Sequence, residues 1–378
     1  MQLAAINWHI YLLTHSALAL GLVGACRAVP IIVCSLMGGV VADVMDRRRL
    51  MIATQTVMLT CSAVLALVTF SGLERVWPIF LLTGIASAAW AFDTPARQAL
   101  MPTLVPLKDF PNAVSLSMLM FQIGLIVGPP LAGFLLASHG PGLVYAINAA
   151  SFVAVILSLA LMRASGRPEK SESQAPRISF EALVEGLRFV WRTPIIVQTM
   201  TLDFVATFFA SANQLLPIFA KDILRVGAQG YGFLASAQAG GAIITGLVMA
   251  RLGTLKKQGL VVILSVSVFG GATIAFGLSR VFWFSLLMLA IAGAADTVST
   301  ILRQTIRQLA TPNNLRGRMT SVNMIFFMGG PQLGEVEAGS LAALIGAPLS
   351  VVTGGLGCLI VAAITLVAAQ NLRRYEVK

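Results

Sequence analysis

The sequence predicts an all-α membrane protein built from two parallel six-helix repeats. Three observations carry that reading: the apolar content, the spacing of the apolar runs, and a match of the chain with itself. Of 378 residues, 57% are apolar and only 11% charged, with a mean hydropathy of +0.86. Globular chains hold about 45 to 50% apolar and about 25% charged residues, so this chain lacks the polar surface to meet water on all sides. A membrane helix takes about 20 apolar residues, and about twelve of them would use about 240 positions, leaving short loops and one longer linker.

Apolar runs lie near Leu3–Leu13, Leu18–Ala42, Leu50–Phe70, Val76–Phe92, Ala113–Ala137, Leu143–Met162, Ile195–Phe219, Tyr231–Ala250, Leu260–Leu278, Val281–Thr300, Thr320–Ala343 and Val351–Ala369, which makes twelve, the first one short. Between Phe110 and Met162 there is no Asp, Glu, Lys or Arg, and the only break is SHGPG, so this stretch reads as a helical hairpin. Shifting the chain by 206 residues pairs Trp77 with Trp283, Arg97 with Arg303, Gln98 with Gln304, Gly124 with Gly330, Gly128 with Gly334 and Gly133 with Gly339. Such self-similarity marks repeated transporter halves. It sets the expected organisation: residues 1–162 form one six-helix bundle and 195–378 the other with a short tail. Residues 163–194 make a linker, polar at first and then carrying Phe180, Leu183, Leu187, Val190 and Trp191 at the spacing of an interfacial amphipathic helix. The counterpart of Ile195 would lie before Met1, so the first span is expected to be truncated.

Charge fixes the expected orientation. Basic residues gather between apolar runs, and loops on one side, with the linker and tail, hold 21 of the 26. Both termini and the linker are therefore expected in the cytoplasm. The same clustering excludes nucleic acid as the partner behind the net charge of +11, because no domain presents a basic face. Four Cys without a CxxC pair, three His without HExxH and the absence of a GxxxxGK[ST] loop give no metal site, no ATP site and no cofactor. No nucleophile or paired-carboxylate constellation points to an enzyme.

Residues 38–50 read GGVVADVMDRRRL, where Gly39 permits close helix packing, Asp43 can face a helix N-terminus, and Asp46 with Arg47, Arg48 and Arg49 forms a charged turn at the headgroups. This resembles the signature between helices two and three of the major facilitator superfamily, although Val44 and Asp46 stand where that pattern has Arg and Gly. With LTHSALALGLVG, FDTPARQALMPTLVP and LRGRM, the chain looks like the branch of enterobactin exporters and transmembrane secretion effectors. The resemblance implies the major facilitator fold, a latch at Asp43 and a cytoplasmic gate. The plainer alternative for Asp43 is a topology determinant. The span GLIVGPPLAG, with Gly124, Gly128, Pro129 and Gly133, resembles the antiporter motif of that superfamily, or else is packing alone. Its repeat carries Glu335 in place of Pro129 and Glu337 in place of Leu131.

An ionised group inside a span costs about 2.5 to 3.5 kcal/mol and needs a partner, a cavity or a proton. Arg27, Asp203, Asp296, Glu335 and Glu337 are such groups. Asp203, Asp296, Glu335 and Glu337 are the candidates for proton coupling or the cavity wall. Arg27 with Glu335 or Glu337 is the candidate for an ion pair between the halves, as the family's meeting of helices two and eleven implies. Asp93, Arg97 and Arg303 are expected at a cytoplasmic gate, with Asp93 or Thr94 capping a helix that Pro95 starts. His9, alone in the first span, reads as a packing residue. The expected function is proton-coupled export of a small amphipathic molecule, drug-like or a siderophore, by a monomer in the inner membrane bilayer. The alternatives are an importer or uniporter on the same fold, or an inactive truncated chain.

Overall fold

A computed structural model describes residues 1–162, 187–210, 212–253, 256–312, 315–373 and 375, without the side chains of 35–40, 42–44, 107, 212, 316–318, 321, 324, 325 and 328. The described residues form helices and no strand. In chain order these are α1 (Gln2–Thr14), α2 (Ala17–Val44), α3 (Arg47–Phe70), α4 (Val76–Leu104), α5 (Phe110–Leu161) and α6 (Pro194–Phe209). Then come α7 (Gly227–Leu252), α8 (Gln258–Leu278), α9 (Phe282–Ala310), α10 (Arg316–Ile345), α11 (Ala347–Ala368) and the short α12 (Gln370–Arg373). All twelve predicted runs fall on helix. The hairpin is α5 itself, whose two arms meet at Gly140 with φ 75° and ψ −175°, a conformation that suits glycine. α1 is 13 residues long, about 20 Å at 1.5 Å per residue.

Two predicted boundaries move. The seventh span does not continue to Phe219 as one α-helix. After α6 the chain makes a 3-10 turn (Ala212–Leu215), one α-turn (Leu216–Ile218) and a π-turn (Phe219–Ile223). Pro217 lacks the N–H that would bond back to residue 213, which removes a bond from any regular helix through this segment. The tenth span, expected to end at Thr300, runs on to Ala310 and carries two arginines into the helix.

The chain divides into two compact units, Met1–Ala175 with Gly227–Gly232, and Pro176–Val226 with Phe233–Lys378. In the first, α2 packs on α4, α3 on α4 and α5, and α1 on α5. In the second, α8 packs on α9 and α11, and α10 on α6 and α11. The core of the second unit draws Leu202 and Ala206 from α6, Val262 and Phe269 from α8, Leu302 and Ile306 from α9 and Cys358 from α11. Lipid tails are as apolar as these side chains, so close packing rather than escape from water holds such a core. Gly293 marks one tight point: a Cβ there would lie 2.0 Å from the backbone oxygen of Gln238 on α7. The outward faces stay apolar, and the repeat-related Trp77 and Trp283, at the starts of α4 and α9, are both exposed, as interfacial anchors are.

Most of the linker lies outside the described residues. Its end, 187–192, is helical, with Val190 buried against Ile196, Met200, Met319 and Val322 of the second unit and Trp191 exposed.

Candidate functional site

The arginine turn works as a staple inside the first unit. Asp46 caps α3 by accepting from the backbone N–H of Arg49 at 3.2 Å. Arg47 donates to the carbonyl of Ala99 on α4 at 2.9 Å, and Arg48 donates to the carbonyls of Leu159 (2.6 Å) and Ala160 (2.5 Å) at the end of α5. A guanidinium on the last carbonyls of a helix satisfies orphan acceptors and meets the negative end of the helix dipole. Gly39 and Asp43 belong to α2, but they lie among the residues whose side chains are outside the described set, so the latch expected at Asp43 falls there too.

Asp93 does not cap a helix start. α4 continues from Val76 through Pro95 and Pro102 to Leu104, and Thr94 donates back to the carbonyl of Trp90. The flanking turns and the packing of Ala96 and Leu100 against Leu50 and Met51 hold the helix despite the missing N–H. Asp93 is buried and accepts from Thr54 (3.0 Å), Gln55 (2.9 Å) and Arg97 (2.5 Å), so it ties α3 to α4. Replacing Asp93 by Ala strands the buried Gln55 amide donor, while Thr54 keeps the Met51 carbonyl, and the expected loss is about 1–3 kcal/mol, read as a lower unfolding temperature in detergent.

The second unit holds a buried charge cluster. Asp203, about 14 Å along α6 from Pro194, pairs with Arg303 (2.8 Å) and Arg307 (3.5 Å), both on α9. Arg303 also reaches Asp296 at 3.8 Å and Thr300 at 3.0 Å, and Arg307 donates to Asn323 of α10. Asp203, Arg303 and Arg307 are nearly sealed from solvent, while the Asp296 side chain is 44% exposed. Two carboxylates answer two guanidiniums, so the cluster is charge-balanced. Repeat symmetry is broken here. Arg97 takes its acid from the same helix four residues back and is 56% exposed. Arg303 has Ser299 at that place, borrows Asp203 from α6 and is 1% exposed. Arg303 is thus buried, and Arg307 is buried beside it.

The remaining candidates are spread. Glu335 on α10 accepts from Gln214 of the 3-10 turn at 2.8 Å, and Glu337 is half-buried on the same helix. Arg27 is half-buried on α2 in the first unit. Of the antiporter-like glycines, Gly124 faces open space and Gly128 meets Met1, while Gly133 touches the start of α7, where a Cβ would sit 2.5 Å from the oxygen of Ala228. Pro129 approaches Gly232 there with its carbonyl. Among the described residues no group of His, Cys, Asp or Glu could hold a metal ion.

The model of the transmembrane secretion effector family matches residues 1–377. The chain belongs to that family of major facilitator transporters. This transmembrane secretion effector is 27% identical to the enterobactin exporter EntS of Salmonella typhi over 382 residues, covering 98% of this chain and 89% of the relative. It is 26% identical to the EntS of Escherichia coli O1:K1 / APEC, covering 98% and 88%. Among solved structures it resembles a bacterial homolog of the human lysosomal transporter Spinster, with a TM-score of 0.76 and 16% identity over 100% of this chain and 96% of that one. It also resembles the nucleoside transporter NupG, with a TM-score of 0.72 and 15% identity over 99% and 95%. These structural likenesses carry the fold.

In this secretion effector one buried group escaped sequence reasoning. His9 on α1 has both ring nitrogens occupied: Nε2 lies 3.1 Å from Glu74, in the connection from α3 to α4, and Nδ1 lies 3.1 Å from the Tyr145 hydroxyl on the second arm of α5. His9 is a satisfied residue, as expected, but its partner is a carboxylate. The partners are 65 and 136 residues away, and no local spacing announces them.

Proposed function

We propose that the chain is a proton-coupled exporter of a small amphipathic molecule of siderophore or drug type, working by alternating access as a monomer in the inner membrane with both termini in the cytoplasm. Full-length similarity to enterobactin exporters supports export. The structural observation that carries coupling is the Asp203 cluster. Ions are expensive at this depth, and a charge-balanced set of two carboxylates and two guanidiniums can exchange partners when a proton or substrate arrives without leaving a bare charge. Arg97 and Asp93, and the arginine turn, serve as the cytoplasmic gate in this reading. A pairing of Arg27 with Glu335 or Glu337 that closes the outer side belongs to it as well.

The test is efflux from cells that make the chain, with enterobactin and a panel of amphipathic dyes as probes, with and without an uncoupler. Export that stops with the uncoupler is expected. Asp203→Asn, normalised to protein in the membrane, is expected to lower uphill export at least tenfold, and full uphill rate in that variant would remove Asp203 from coupling. Export lost in Arg27→Glu and recovered in Arg27→Glu with Glu335→Arg or Glu337→Arg is the result expected for the pair.

A further inference from the structure

We infer that His9 and Glu74 form a proton-binding site at the end of the first unit opposite the arginine turn, where this transporter loads its coupling proton. The inference rests on the proton-coupled reading above. Glu74 follows α3 at its far end from Arg47, and its side chain is 28% exposed, so it meets water; His9 behind it is 2% exposed. A partly exposed carboxylate and a sealed imidazole 3.1 Å apart make a pair that can hold one proton more or less.

The surroundings suit both protonation states. With neutral His9, Nε2–H donates to the Glu74 carboxylate and Nδ1 accepts from the Tyr145 hydroxyl. When hydronium gives up its proton, leaving water, the new N–H bond forms on the ring. Both nitrogens then donate, Nε2–H to Glu74 and Nδ1–H to the Tyr145 oxygen. The Tyr145 hydrogen must turn to another acceptor. Asn7, two residues before His9, is hydrogen-bonded to Tyr231 at the start of α7, and its buried carbonyl oxygen has no partner among the described residues. Trp8 stacks on Tyr231 at 5.4 Å and closes the group off on its apolar side. The imidazolium is matched by the Glu74 charge, so loading changes the net charge of a buried site by one without leaving an unpaired ion.

The other charged or titratable groups on the elements packed against α1 are Cys26, Arg27, Cys34 and Asp43 on α2, Arg75 beside Glu74 at the start of α4 with Asp93 and Arg97 farther along it, and His139 on α5. α1 itself adds Tyr11, in ring contact with His15 just past its end. Tyr145 is a positioning residue here: its hydroxyl holds the ring through Nδ1 and can donate to it or accept from it.

The experiment uses the full chain in lipid nanodiscs with isotope-labelled histidine, followed by magnetic resonance across about pH 5 to 8. His15 and His139 act as internal references. We expect the His9 signal to pass between neutral and protonated forms within that range. Glu74→Gln should displace the change, Tyr145→Phe should alter the tautomer, and His15 and His139 should not move. A His9 signal that stays unchanged across the range, or that ignores both substitutions, overturns the site. In liposomes loaded with enterobactin, flux by the unmodified chain should depend on outer pH, and Glu74→Gln should lose that dependence. A preserved pH dependence also overturns it. If the unmodified chain moves no enterobactin against its gradient, the exporter reading fails, and the histidine titration alone decides the site. Because Glu74 is partly exposed, its conservative replacement stays readable even if His9→Gln does not fold.

Discussion

Asp203→Ala is expected to be the most damaging single substitution in the second unit. It leaves Arg303 and Arg307, 1% and 4% exposed, facing each other across an emptied site. Removing one partner of a buried ion pair costs about 3–5 kcal/mol, because the remaining charge stays desolvated. Asp296 still answers Arg303 at 3.8 Å, so one of the two arginine charges stays unmatched. Thermal unfolding of the purified chain in detergent should show a drop of that size, or too little folded protein to measure. The double variant Asp203→Ala with Arg303→Met removes one charge of each sign and fills the space with a flexible apolar side chain, so it should recover part of the loss. A double variant no more stable than Asp203→Ala alone would mean that the cluster is not held by this pair.

Gly293→Leu is expected to be comparably severe for a different reason. A Cβ at Gly293 would stand 2.0 Å from the Gln238 carbonyl oxygen and 2.7 Å from its Cα, and backbone cannot swing aside as a side-chain tip can. α7 and α9 must separate, and overpacking of this kind costs about 1–3 kcal/mol or more. Since helix association in lipid depends on such close approach, the loss should appear as reduced folded yield and faster proteolysis. Gly271→Leu is the control, because nothing lies within 4 Å of a Cβ there. Equal yields for the two variants would contradict the contact.

The spans were legible because a lipid-crossing helix announces itself in composition, and the hairpin turn because Gly140 adopts a conformation that other residues resist. The staple was legible as a charged turn, though not in its targets, the carbonyls of Ala99, Leu159 and Ala160. Asp203 was legible as an acid in an apolar run. Its partners were not, since a scan for apolar runs stops at the first charges while α9 carries Arg303 and Arg307 inward on one face, four residues apart. The same habit put a helix start at Pro95, where packing overrides the local signal. His9 was undervalued because a histidine's meaning depends on what faces it, and Glu74 lies 65 residues away in the chain.

The unequal treatment of Arg97 and Arg303 limits how far the two halves can be regarded as copies. In the first, the acid answering the arginine sits on the same helix, so the pair would survive with that helix alone. In the second, it arrives from α6, and the pair exists only once two helices have docked. One half carries its neutral pair before it assembles; the other holds two arginines against one acid, Asp296, on α9 until α6 brings Asp203. A chimera joining two first halves head to tail would therefore have no reason to bring its sixth and ninth helices together, and the order in which helices meet would change with it.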